Sequence, residues 1–137
     1  MDFTEAQNDV VRAIAGSADV GAWERLLADV EILEHGDSYQ IDYVCLAIVR
    51  NADGEFASAQ FKLDESARNA IAALYRQRKN EAGDVIGGFE LKVDQPGHFR
   101  FDYLNGAPKR INGVWDEERA HVLNNYLDVY KSELAAR

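Results

Sequence analysis

The sequence predicts an α+β domain: one antiparallel sheet of about five strands with helices on one face, in the order α-β-β-β-α-β-β-α. Three observations carry this expectation. Apolar residues alternate with period two in several runs. Tight-turn residues join neighbouring runs, which makes the pairing antiparallel. Three other segments space their apolar residues as helices do. A chain of 137 residues without an evident linker or internal repeat fits a single domain, residues 1–137.

The first helix is expected over Phe3 to Ala15, with Thr4 as N-cap and Gly16-Ser17 as its end. Leu26, Ala28, Val30 and Ile32 then alternate with Leu27, Asp29, Glu31 and Leu33, a strand. Gly36-Asp37 supplies a turn into a second long strand, Ser38 to Val49. One face of that strand begins polar (Gln40, Asp42) and ends apolar (Val44, Leu46, Ile48), so one end should be solvated and the other covered. Asn51-Ala52-Asp53-Gly54 is a hairpin signal before a third strand, Glu55 to Phe61. Asp64 is a natural N-cap for the second helix, whose polar face ends in Arg76, Arg78 and Lys79. After a loop at Ala82-Gly83-Asp84, strands Gly88 to Asp94 and His98 to Leu104 flank Gln95-Pro96-Gly97. Asp116-Glu117-Glu118 opens one last helix with the stripe Val122, Leu123, Tyr126, Leu127, Tyr130 and Leu134. Trp115, at its entrance, is expected to anchor the core.

Composition narrows function by exclusion. Net charge is −9 and the pI about 4.7, so phosphate backbones would be repelled and nucleic acid is not an expected partner. No basic-then-apolar leader or membrane-length apolar run is present, which points to the cytoplasm and away from the bilayer. His35, His98 and His121 fall in separate elements, and Cys45 lies in an apolar run, so no metal or cofactor site is expected. Gly83 to Gly88 lacks the Lys-Ser/Thr of a phosphate loop and reads as a glycine-rich strand entrance. No catalytic residues are assigned.

The charge is uneven. Residues 1–66 carry 14 acids and 4 bases, whereas residues 67–137 carry 10 acids and 11 bases. Asp29, Glu31, Glu34, Asp37 and Asp42 fall on the first two strands and their turn, with Tyr43 beside them. On an antiparallel hairpin these six residues would form an acidic docking surface for a basic protein. Reversing Asp29, Glu31 and Asp42 to lysine should then slow association without harming the fold.

The order of elements, together with three sequence stretches, resembles the YezG-like immunity family, which neutralises polymorphic bacterial toxins. The likeness runs roughly from Ala22 to Tyr130. It rests on Ala22-Trp23-Glu24-Arg25-Leu26, on the aromatics Tyr39 and Tyr43, and on Gly97-His98-Phe99-Arg100-Phe101-Asp102-Tyr103, similar to the family's Gly-x-Phe-x-x-Asp-Tyr strand. The chain departs from the family in an alanine-rich second helix and in Lys109-Arg110, where acids are expected. The resemblance implies a cytoplasmic antitoxin that caps a toxin's active cleft but does not carry over the toxin class; the acidic first half makes a basic nuclease the candidate toxin. The alternatives are a general interaction module, such as an adaptor or secretion chaperone, and a small carboxylate-dependent enzyme built on Asp29–Glu31, Asp102 or His98. Stoichiometry is not legible.

Overall fold

The computed structural model describes residues 2–83 and 85–137; Met1 and Asp84, the latter expected in the loop after the second helix, lie outside them. The elements are α1 (Phe3–Ser17), β1 (Trp23–His35), β2 (Ser38–Arg50), β3 (Phe56–Gln60), α2 (Glu65–Ala82), β4 (Ile86–Asp94), β5 (His98–Asn105), α3 (Glu117–Asn124) and α4 (Tyr126–Ala135). The five strands form one antiparallel sheet in the order β3-β2-β1-β4-β5. Fold class and element order are therefore those expected.

Local chemistry sets the boundaries. Asp64 caps α2 by accepting from the Ala67 N–H at 2.8 Å, and Gly83 closes that helix in the left-handed region. Asp116 caps α3 in the same way through Arg119 N–H. The cap of α1 is Asp2, not Thr4: its carboxylate accepts from Glu5 N–H at 2.8 Å, and the helix starts at Phe3 as expected. The last helix is two. At Asn125 the backbone leaves helical angles (φ −121, ψ 28), and the Asn125 side-chain amide donates to His121 O at 2.8 Å. Asparagine competes in this way with the helical ladder.

The helices do not share one face. On β1, Leu26, Ala28, Val30 and Ile32 pack beneath α1 and α2, with Val10, Ile14, Ile71 and Leu74. Leu27 points the other way and joins Leu46, Ile48, Tyr126 and Tyr130 under α4. The expectation of helices on one face is thus corrected. β1 is central and buried on both sides through its middle, so a second layer must cover its other set of alternating side chains. The covered end expected on the second strand is where α4 sits. Arg25 locks it there. Its guanidinium is 3% exposed, contacts Asp94 at 2.6 Å and Glu133 at 2.5 Å, and lies over the Tyr130 ring. Burial pulls the Glu133 carboxyl upward, but Arg25 and Lys92 outweigh it and hold the group below the usual carboxylate range.

Cys45 faces the larger core and is 3% exposed. Burial, with a smaller contribution from the Asp29 charge, pushes its thiol up to about 12. The native protein should therefore resist iodoacetamide near neutral pH and alkylate only once unfolded. Labelling detected by mass spectrometry, with and without denaturant, checks this.

Candidate functional site

Register brings like charges together on the α4 side of the sheet. Asp29 stands opposite Glu90 of β4, and Glu31 opposite Asp42 of β2. Directly opposed carboxylates destabilise a sheet. Two arginines from the chain's second half resolve the conflict. Arg110, in the segment between β5 and α3, donates to Asp29 at 2.6 Å and to Asp42 at 2.7 Å. Burial works against its charge, but these partners outweigh burial and raise its pKa. Arg119 of α3 reaches Asp29 at 2.6 Å and Glu90 at 2.5 Å. Glu31 accepts from the Ile111 N–H at 3.1 Å. Asp29, 1% exposed, is the hub of this cluster.

The cluster stitches residues 106–116 and α3 to the sheet by charge; apolar packing adds buried Pro108 and the partly buried Val122 and Leu123, and α3 buries no residue fully. Between them and the sheet lies a cleft of about 990 Å³. Asp29, Glu31 and Glu90 line its floor; Leu104, Trp115 and Leu123 contribute apolar wall. Charged lining residues number five acids (Asp29, Glu31, Glu90, Asp116, Asp128) and three bases (Lys109, Arg110, Arg119), a net of −2.

Trp115 is 76% exposed. This overturns its expected place as a core anchor. The ring belongs to neither of the two apolar clusters. Neighbouring Val114 is 53% exposed, and Leu104 is 42% exposed. Tryptophan is among the residue types most enriched in interface hot spots.

Glycines let the backbones close up here. A Cβ on Gly87 would sit 2.3 Å from Gly106 O and 3.0 Å from Pro108 N, both backbone atoms. Gly87→Ala should displace residues 106–108 and cost about 1–3 kcal/mol in chemical denaturation.

The six residues expected to form one docking surface are not brought together. Asp29 and Glu31 are buried in the cluster, and Asp42 is half-exposed at its margin. Glu34 projects to the opposite face, accepting from Tyr75 Oη at 3.1 Å and Lys79 Nζ at 2.9 Å. Those donors hold its carboxyl below the usual range. Asp37 is exposed in the β1–β2 turn, and Tyr43 packs toward α1 and α2. Strand pleat is the reason: odd and even positions of β1 face opposite sides. Sequence reasoning missed Arg110, Arg119 and the exposure of Trp115. Among the described residues no cluster of His, Cys, Asp and Glu could hold a metal ion, and no helix is long and apolar enough to cross a membrane.

No protein-family model matches the chain, and no curated protein matches it.

Proposed function

We propose that this chain is an immunity protein that binds a cognate bacterial toxin domain in the cytoplasm and neutralises it by protein–protein contact. The observation that carries the reading is Trp115, largely exposed and lining a preformed cleft together with Leu104, with exposed Val114 next to it in the chain. An aromatic anchor on a rigidly tethered segment meets a partner at low entropic cost. Charge supports a basic partner: the chain is −9 overall, and the cleft lining keeps a net −2 after its internal pairing. The resemblance to YezG-like immunity proteins supplies the toxin.

Co-expression tests it. A toxin-like C-terminal domain encoded beside this gene should arrest growth alone, be tolerated with this chain, and copurify with it. If no neighbouring domain is toxic, or if toxicity persists despite soluble chain, the reading fails. A non-toxic partner seated on the same surface would instead make the protein a general interaction module.

The cleft also favours a second reading, a small carboxylate-dependent enzyme, because Asp29, Glu31 and Glu90 line it. Both Asp29 oxygens are engaged by guanidinium groups, which gives that residue a structural task. Turnover abolished by Glu90→Gln yet unaffected by Trp115→Ala would favour the enzyme.

A further inference from the structure

We propose that β5 is a self-complementary edge through which two copies of this chain pair, antiparallel, about a two-fold axis at Phe101. The sheet has two edges, and they differ. β3 is five residues long and lies against α4, with Phe56 edge-on to Tyr130 at 5.4 Å. β5 has eight residues, six of them exposed, and pairs only with β4 among the described residues. From His98 to Tyr103 its register with β4 is unbroken, and it contains no proline or lysine. Of the devices that blunt an edge, a short strand, proline and lysine are missing; the register shift lies at the far end, opposite Ile86 and Gly88, and the exposed charges Arg100 and Asp102 are of opposite sign.

What fits this edge is its own copy. With the axis at Phe101, Arg100 of each copy stands opposite Asp102 of the other, so two opposite-charge pairs form on one face. On the other face Phe99 meets Tyr103 twice and Phe101 meets Phe101. That face already carries a ring row, Phe99–Phe101–Tyr103, with centroids 6.0 and 5.6 Å apart, and Phe99 at its end is 43% exposed. Neighbouring registers are worse. A one-residue slip sets the charged row against the aromatic row. A two-residue slip sets Arg100 against Arg100 or Asp102 against Asp102, and like charges directly opposite repel. In the single chain Arg100 and Asp102 contact each other at 3.3 Å with side chains 76% and 49% exposed, so their exchange for inter-copy partners sacrifices little.

Sedimentation velocity over a concentration series decides the matter without any toxin, and so independently of the proposed function. The unmodified chain should show a monomer–dimer equilibrium. Arg100→Asp places aspartate opposite Asp102 twice and should weaken self-association roughly tenfold or more. The exchange Arg100→Asp with Asp102→Arg should restore it, with thermal melts confirming that both variants fold. A wild-type chain that stays monomeric at every concentration overturns the proposal and leaves the edge to a strand of another protein. A single variant that associates normally, or an exchange that does not restore association, overturns it equally.

Discussion

Replacing Trp115 with alanine will weaken partner binding by roughly 30- to 1000-fold while leaving the melting temperature close to that of the parent chain. The range corresponds to about 2–4 kcal/mol, the usual cost of truncating an interface tryptophan hot spot. The two halves of this expectation have one cause. With 76% of its surface in water, Trp115 contributes little apolar burial to the folded monomer, so its loss creates no internal cavity. The same exposure gives the ring its full area to bury against a partner. Titration calorimetry and a thermal melt on the same preparation separate the effects. A variant that binds normally removes Trp115 from the interface; one that melts much earlier shows the ring to be structural.

Asp29→Ala will destabilise the fold by about 3 kcal/mol, the lower end of the cost of breaking a buried ion pair. The lower end applies because Arg110 and Arg119 keep 27% and 28% of their side-chain surface exposed, so water partly compensates the loss. The substitution leaves two guanidiniums without their shared acceptor and loosens residues 106–116, which keep Arg110–Asp42, Arg119–Glu90 and the Ile111 N–H on Glu31 as ties to the sheet. Binding should fall as well, through loosening of the segment that presents Trp115. Urea denaturation measures the first effect, and Arg119→Ala should reproduce most of it. Reversing Asp29, Glu31 and Asp42 to lysine is thus a folding mutation and cannot serve as the kinetic probe of steering that the strand pattern suggested.

The sheet was legible because its signals are local. Period-two alternation, Asn51 to Gly54, Gly36-Asp37 and Gln95 to Gly97 each act over a few residues, and the antiparallel pairing of β1 with β2, β2 with β3 and β4 with β5 follows from them, whereas the pairing of β1 with β4, which no turn joins, does not. The side on which the last helix lies was less accessible, since Leu27, Leu46 and Ile48 reveal a second buried face only once their strands are aligned. The charge cluster could not be read directly. Arg110 and Arg119 lie 81 and 90 positions from Asp29, and nothing local marks them as its partners. A usable signal did exist: Asp29 against Glu90 and Glu31 against Asp42 require cations from elsewhere, and the second half holds the surplus of bases. Trp115 also had a tell. It precedes the Asp116 cap, where a hydrophobic staple would need a large apolar residue one turn into the helix; that position is Ala120, too small to hold the ring.

The most direct measurement is the emission of Trp115 on complex formation, in a Trp23→Phe background that leaves it as the chain's single tryptophan. Free protein should emit at the long wavelength of a hydrated indole. Saturation with a tryptophan-free version of the neighbouring toxin domain should shift that emission to the blue and shield it from iodide quenching. A stable complex in which Trp115 keeps both its hydrated emission and its full quenching would contradict docking at this cleft.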